Sequence, residues 1–134
     1  METLASPKTS YLLETGLDVL HSESREWLSE LEFLKSDLRF FMKLLKSTAF
    51  ESGKEQQRQH IFENMDKLAS AITAELETEV KSHEKNLAAL LANKNRDDAS
   101  YRSKHIQLKE RIERINNDVR TLKMLVFDFE KHLK

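Results

Sequence analysis

The feature that most constrains this chain is a repeat of mostly apolar residues in alternating steps of four and three, which runs through long segments of the sequence. Such a heptad stripe lies on one side of an α-helix and favours helices that pack along their whole length. The first stripe comprises Leu13, Leu17, Leu20, Ser24, Trp27, Leu31, Leu34, Leu38, Phe41 and Leu45. The last comprises Tyr101, His105, Leu108, Ile112, Ile115, Val119, Leu122, Val126, Phe129 and Leu133.

The stripe between these two is less regular, because two successive steps of four separate Ile72, Leu76 and Val80. An irregularity of this kind is a stutter, and it locally relaxes the supercoil of packed helices. The whole middle stripe comprises Phe62, Met65, Ala69, Ile72, Leu76, Val80, His83, Leu87 and Leu90. We therefore expect a helix whose packing changes locally near Leu76.

Two short polar segments separate the three stripes. Residues 52–55 have the S-x-x-E spacing of a capping box, and residues 93–98 offer Asn95 or Asp97 as an N-cap. Pro7 suits a first helical position, and Gly16 lies inside the first predicted helix. The predicted helices cover about 7–50, 53–93 and 97–133 of a single domain, 1–134. Because short connections make neighbouring helices antiparallel, the predicted fold is all-α: an elongated up-down-up three-helix bundle with coiled-coil-like heptad packing.

Composition excludes several other classes of protein. Two glycines and one proline in 134 residues are too few for the turns of a many-stranded sheet. The lack of cysteine excludes disulfide scaffolds, thiolate zinc sites and cysteine nucleophiles. A formal net charge of -1, no membrane-length apolar run and no signal-like start predict a cytoplasmic protein without nucleic-acid or membrane partners. We find no established catalytic motif and expect no enzymatic activity.

Three histidines are predicted to lie at one level of the bundle: His21, His83 and His105. One interpretation is a metal site, in which three imidazoles bind zinc or a similar divalent ion and a water completes the coordination. Asp18 and Glu79, one turn before His21 and His83, would then be further ligands or hydrogen-bond acceptors. The other interpretation, which we favour, is a polar core layer of His83 and His105 near Ser24 that needs no cofactor.

Helix 1 carries a second apolar stripe that one three-helix core cannot bury together with the first. Leu12, Val19, Phe33 and Phe40 follow one another at multiples of seven residues, interrupted by Glu26. An unburied apolar stripe predicts another contact surface. The candidate interface residues are Phe33, Phe40, Leu44 and Phe127.

Charge is also distributed unevenly. Residues 10–35 contain six acids and two bases, a net of -4, whereas residues 102–123 contain seven bases and three acids, a net of +4. We expect these helices to pair with each other across their shared groove; a basic face for nucleic acid or anionic lipid is the alternative. The predicted function is therefore that of a structural or interaction protein that forms a homo-oligomer, with a dimer favoured, or docks a protein partner. The alternative function is a small metal-binding bundle.

Overall fold

The structure is a computed structural model, and it describes residues 16–47, 54–92 and 97–131. Its elements are α1 (Leu17–Ser47), α2 (Glu55–Ala71), a π-helical turn (Ile72–Leu76), α3 (Glu77–Ala92) and α4 (Ala99–Lys131). Helical backbone angles continue from α2 through the π-helical turn into α3, so these three elements form one rod. The described residues are thus arranged in three helical rods and contain no strand, which confirms the all-α prediction.

The described helix α1 begins one residue after Gly16 and does not contain it. The Gly16 carbonyl accepts hydrogen bonds from the amides of Val19 at 3.1 Å and Leu20 at 3.3 Å, which is the role of a residue preceding the first turn. The prediction that Gly16 lies inside a helix is therefore wrong; glycine is well tolerated at this capping position. The predicted start at Pro7 and the capping-box serine at position 52 lie outside the described residues.

The other predicted cap is present at the start of α4. A carboxylate oxygen of Asp97 accepts the amide hydrogen of Ala99 at 3.1 Å and so satisfies one of the free donors of the first turn. The described parts of α1, α3 and α4 extend to Ser47, Ala92 and Lys131. The predicted ends of these helices, near residues 50, 93 and 133, lie outside the described residues.

Polar pairs between α1 and α4 rise together along both helices. A carboxylate oxygen of Glu23 lies 3.9 Å from Lys109 Nζ, and a carboxylate oxygen of Asp37 lies 2.7 Å from Lys123 Nζ. The two helices therefore run in the same direction. These pairs also bear out the predicted ion pairing across this groove. Each pair is partly exposed and contributes on the order of 0.5 kcal/mol.

The middle rod runs in the opposite direction to the other two. On its side facing α1, His21 contacts Glu84 and Lys35 contacts Glu77, so the partner number falls as the α1 number rises. Because all three rods also contact one another, the contacts have the order expected of an up-down-up bundle.

The buried side chains divide into two apolar clusters with a polar layer between them. The end cluster consists of Leu20, Leu87, Leu90 and Tyr101. The main core consists of Trp27, Leu31, Leu34, Leu38, Phe41, Leu45, Ile61, Met65, Ile72, Leu76, Val80, Leu108, Ile112, Ile115, Val119, Leu122, Val126 and Phe129. The polar layer consists of Ser24, His83 and His105. These residues occupy heptad seam positions between the two clusters and are at most 1% exposed.

The π-helical turn explains the predicted stutter. Buried residues follow heptad steps up to Ile72 and again from Leu76 onward, but the step between these two is four where the alternation requires three. A π-helical turn accommodates one extra residue within a helix. The turn therefore keeps both halves of the rod facing the same core.

One assignment in the middle stripe is corrected by the structure. Ile61 is buried in the main core, whereas Phe62 is only half-buried and its ring lies 5.2 Å from the Lys46 ammonium. Ile61 precedes Met65 by one helical turn, and that spacing directs both side chains to the same face. The sequence analysis assigned Phe62 to the stripe because it is the larger of these two neighbouring apolar side chains.

Candidate functional site

The polar layer is built from heptad seam positions on all three rods. Ser24 comes from α1, His83 from α3 and His105 from α4, and each replaces the apolar residue that its position usually carries. Helical periodicity alone directs these side chains inward. The bundle therefore buries two imidazoles and a hydroxyl in surroundings that are otherwise apolar.

A chain of hydrogen bonds runs through the layer. His105 Nε2 lies 2.8 Å from a carboxylate oxygen of Glu23, and His105 Nδ1 lies 3.0 Å from His83 Nε2. Because a carboxylate only accepts, Nε2–H of His105 donates to Glu23. In the neutral ring Nδ1 is then an acceptor, so we assign Nε2–H of His83 as the donor to it.

Burial keeps both imidazoles neutral near pH 7. Loss of hydration, assisted by the neighbouring His105, lowers the pKa of His83 from 6.5 to about 4. Loss of hydration also lowers the pKa of His105, although the hydrogen bond to Glu23 opposes this effect. The chain is therefore a carboxylate followed by two neutral rings at physiological pH.

Aromatic rings enclose the two imidazoles. Tyr101 stacks on His83 with ring centres 4.1 Å apart and an angle of 1° between the planes. Trp27 packs against His105 with ring centres 4.5 Å apart. These contacts hold both rings in place and shield them from water, which contributes to the lowered pKa values of the histidines.

The layer and the residues next to it also contain buried polar atoms that lack a hydrogen-bond partner within the described part of the chain. They are Ser24 Oγ, His83 Nδ1, Glu84 Oε1 and Tyr101 Oη. Burial raises the pKa of Tyr101 to about 12, and the nearby Ser24 hydroxyl acts in the opposite direction, yet these two hydroxyls do not form a hydrogen bond of ordinary geometry. An unsatisfied buried polar atom costs roughly 1–3 kcal/mol, so this layer stabilises the bundle less than leucines would.

The third predicted histidine has a different partner. His21 Nδ1 lies 2.5 Å from a carboxylate oxygen of Glu84 at the partly exposed edge of the bundle. Glu79 accepts hydrogen bonds from Arg111 at 2.7 Å and Lys104 at 2.9 Å, which lower its pKa, and Asp18 is exposed. Across residues 16–47, 54–92 and 97–131, no group of three or more histidines and carboxylates is arranged to hold a metal. The geometry therefore offers no support for zinc at this level.

Glu23 and Glu84 are residues of the site that the sequence analysis missed. Glu23 directly precedes Ser24 and lies on the side of α1 that faces α4, where it reaches His105. Its place beside a seam position was a usable signal, because residues flanking the seam commonly contact the neighbouring helix. Glu84 follows His83 in the same way on α3.

Pockets flank the polar layer on two sides. One of about 310 Å³ between α1 and α3 is lined by Leu17, Asp18, His21, Glu84, Leu87, Ala88 and Leu91. Another of about 330 Å³ is lined by His83, Asn86, Leu90, Asp97, Ser100, Tyr101 and Lys104. The first is bounded mainly by apolar side chains, whereas the second combines an imidazole, a carboxylate and an ammonium.

A second candidate site is the aromatic surface at the far end of α1 and α4. Phe33, Phe40 and Phe127 are 65%, 61% and 58% exposed, whereas Leu44 is half-buried and packs against the main core. The buried ring of Phe41 makes edge-to-face contacts with Phe40 at 5.3 Å and with Phe127 at 5.4 Å. Three of the four predicted interface residues are thus open to solvent. Two of them, Phe40 on α1 and Phe127 on α4, contact the same buried Phe41 ring. Leu12, the start of the predicted stripe, lies outside the described residues.

None of the described helices has an apolar stretch long enough to cross a bilayer. In comparisons with known proteins, no protein-family model, curated protein or solved structure matches this chain.

Proposed function

We propose that this protein is a non-enzymatic helical interaction protein of the cytoplasm, which forms a dimer through the aromatic surface of α1 and α4. The observation that carries this proposal is the exposure of Phe33, Phe40 and Phe127, each more than half open to solvent on the same side of the bundle. Burial of one such side chain contributes roughly 1.5–3 kcal/mol, and aromatic residues often anchor protein interfaces.

The packing beneath this surface also supports the proposal. The buried Phe41 ring is in contact with both Phe40 and Phe127, so these two exposed rings rest against a fixed part of the core. Anchors that are already ordered lose little conformational entropy when a partner binds. A second copy of the chain is the occupant we propose; a different protein is the other occupant that the predicted face allows.

The test is the solution mass of the full chain and of the double variant Phe33→Glu/Phe40→Glu. Sedimentation equilibrium of the wild type is expected to give twice the chain mass of 15.7 kDa, and the double variant is expected to approach the mass of one chain. Each copy of the double variant would bring two carboxylates without partners into the interface, which would make association strongly unfavourable.

Leu91→Glu is the matched control, because Leu91 is 59% exposed but lies on α3, away from this surface. This variant is expected to keep the wild-type mass. A wild type that stays monomeric at every concentration would end the proposal, as would dissociation by Leu91→Glu but not by the double variant.

A further inference from the structure

The pocket between α1 and α3 combines a fixed apolar wall with an uneven charge. Its volume is about 310 Å³. Its base belongs to the packed interior, because Leu87 is buried in the end cluster and Leu17 packs against the same cluster. Ala88 and the 59% exposed Leu91 complete the apolar wall. A concave, mainly apolar pocket with a few polar groups is typical of a small-molecule site.

The volume of this α1–α3 pocket is sufficient for a molecule with one ring and a short chain. An apolar cavity of about 150 Å³ already accepts benzene. A bound apolar group would also cover Leu91, whose side chain otherwise lies largely in water. The shape of the pocket therefore favours a small apolar body as its occupant.

The polar part of the lining is acidic. Asp18 and Glu84 line the pocket, and no lysine or arginine of the described chain does so. One carboxylate oxygen of Glu84 contacts His21, and the other has no hydrogen-bond partner among the described residues. The carboxylate of Asp18 forms no ion pair with any residue in the described ranges. Two carboxylates beside apolar walls give the pocket a negative potential.

The positive side chains of these helices lie outside the pocket. Arg25 follows Asp18 by seven residues on α1, and Lys81 precedes Ala88 by seven residues on α3. Each is about 10 Å further along its helix, a distance similar to the Debye length at 0.1 M salt. Lys85 directly follows Glu84 and therefore projects about 100° further round α3. The two carboxylates are thus the charges nearest to a molecule in the pocket.

We propose that the α1–α3 pocket binds a small amphipathic amine, an aromatic or short alkyl group that carries an ammonium. The apolar group packs on Leu87, Ala88 and Leu91. The ammonium lies at the Asp18 side of the pocket, where Glu84 adds to its attraction. An alcohol of the same shape gains the apolar contact alone, whereas a carboxylate is repelled.

This site is independent of the proposed dimer, because none of its lining residues belongs to the aromatic surface. Its occupant is also chosen by charge rather than by area alone. A pocket for any apolar molecule would bind amine, alcohol and carboxylate equally, so a comparison of the three isolates the role of the two acids.

Three compounds of similar shape test the charge preference: phenethylamine, phenethyl alcohol and phenylacetate. Each is titrated into the full isotope-labelled chain at neutral pH, and the backbone amide shifts are followed by NMR. The amine is expected to shift the amides of Leu17, Ala88 and Leu91 and to bind about fivefold more tightly than the alcohol. Phenylacetate is expected to bind more than about tenfold more weakly than the amine.

Filling the pocket tests its position. Ala88→Phe places an aromatic ring against the apolar wall and is expected to abolish the shifts caused by the amine and the alcohol. Ala89→Phe is the matched control, because Ala89 is also an exposed alanine of α3 but does not line the pocket. This variant is expected to bind both compounds as the wild type does.

Removal of one charge tests the ammonium contact. Asp18→Asn keeps the size of the side chain, so the amine is expected to lose about threefold in affinity while the alcohol keeps its affinity. Retained binding of the alcohol also shows that the variant is folded. Glu26→Gln changes an exposed carboxylate of α1 outside the pocket and is expected to affect neither compound.

The outcomes separate this inference from the proposed function. A preference for the amine that falls in Asp18→Asn, together with loss of binding in Ala88→Phe but not in Ala89→Phe, supports the site. An amine that binds no more tightly than the alcohol or phenylacetate, unchanged binding in Ala88→Phe, or no shifts in the wild type overturns it. Dissociation of the wild-type dimer by Leu91→Glu also overturns it, because a second copy would then occupy the pocket. A monomeric wild type ends the proposed dimer and leaves this site intact.

Discussion

The main core and the polar layer occupy equivalent heptad positions but contribute differently to the bundle. Leu38 in the main core and His105 in the polar layer are both fully buried on the helical seam. Burial of a leucine removes apolar surface from water and contributes roughly 1.5–3 kcal/mol. Burial of His105 requires a neutral ring and hydrogen bonds to Glu23 and His83. Helical period thus determines which side chains are buried, whereas their chemistry determines what burial contributes.

The difference also concerns specificity. Apolar seams tolerate sliding by a heptad, because one leucine can replace another in the contact. The chain from Glu23 through His105 to His83 joins all three rods and is complete only when they have one relative position. We interpret the polar layer as a feature that sets register, in return for less stability than an apolar layer provides.

The largest effect is expected from deleting one residue beside the main core, with the continuous helix α4 compared with the π-helical turn. Deletion of Asn117 in the continuous helix α4 rotates the later core residues by about 100°, and we expect a loss of more than about 4 kcal/mol in the free energy of unfolding. Deletion of Thr73 removes the extra residue of the π-helical turn and leaves both halves in phase, so a change within about 1 kcal/mol is expected. Urea denaturation of both variants makes the measurement. Equal losses would contradict our account of the turn.

Truncation of a leucine tests how the two apolar clusters differ. Leu38→Ala in the main core is expected to lower the free energy of unfolding by about 4 kcal/mol, because neighbours surround the cavity on all sides. Leu20→Ala in the small end cluster is expected to cost about 2 kcal/mol, although both leucines are fully buried. Denaturation at pH 7 compares them. A larger loss at Leu20 would show that the end cluster is the more stabilising region.

Acid is expected to weaken the polar layer selectively. The pKa of His83 falls from 6.5 to about 4 on folding, so the folded state resists protonation that the unfolded state accepts. The free energy of unfolding is therefore unaffected by this histidine above about pH 6.5 and decreases as the pH falls toward 4. The decrease amounts to about 2 kcal/mol between pH 7 and pH 5. Urea denaturation at these two pH values gives the loss.

His83→Gln is the matched variant for this pH dependence. A glutamine amide can donate to His105 Nδ1 but does not titrate, so the variant is expected to lose less stability on acidification than the wild type. Identical profiles for the wild type and His83→Gln would refute the assignment.

The smallest effect is expected at the end of the hydrogen-bond chain. Glu23→Gln removes a charged acceptor of the His105 ring and is expected to cost about 1 kcal/mol at pH 7. Glu30→Gln is the control, because Glu30 has the same heptad position but accepts an exposed hydrogen bond from the Asn116 side chain. Its expected cost is below about 0.5 kcal/mol. Thermal unfolding of the two variants under the same conditions makes the comparison.

The repeat alone was sufficient for the main features of the fold. It predicted three rods, the seam residues of α1 and α4, and the shared level of His83 and His105, because helical period determines the direction of each side chain. It also located the irregularity at Leu76. It did not distinguish Ile61 from Phe62, since neighbouring residues differ by only 100° around the helix and the larger side chain was favoured.

The contacts of individual polar atoms were decided only by the tertiary structure. The sequence placed His21 level with the other histidines, but the packed helices pair it with Glu84 and bring Glu23 to His105. Such pairs depend on rotamers and on axial shifts of an ångström or two, because hydrogen bonds require distances near 3 Å. Apolar contacts tolerate such shifts and follow from a repeating pattern, whereas directional bonds depend on how three separate rods finally pack.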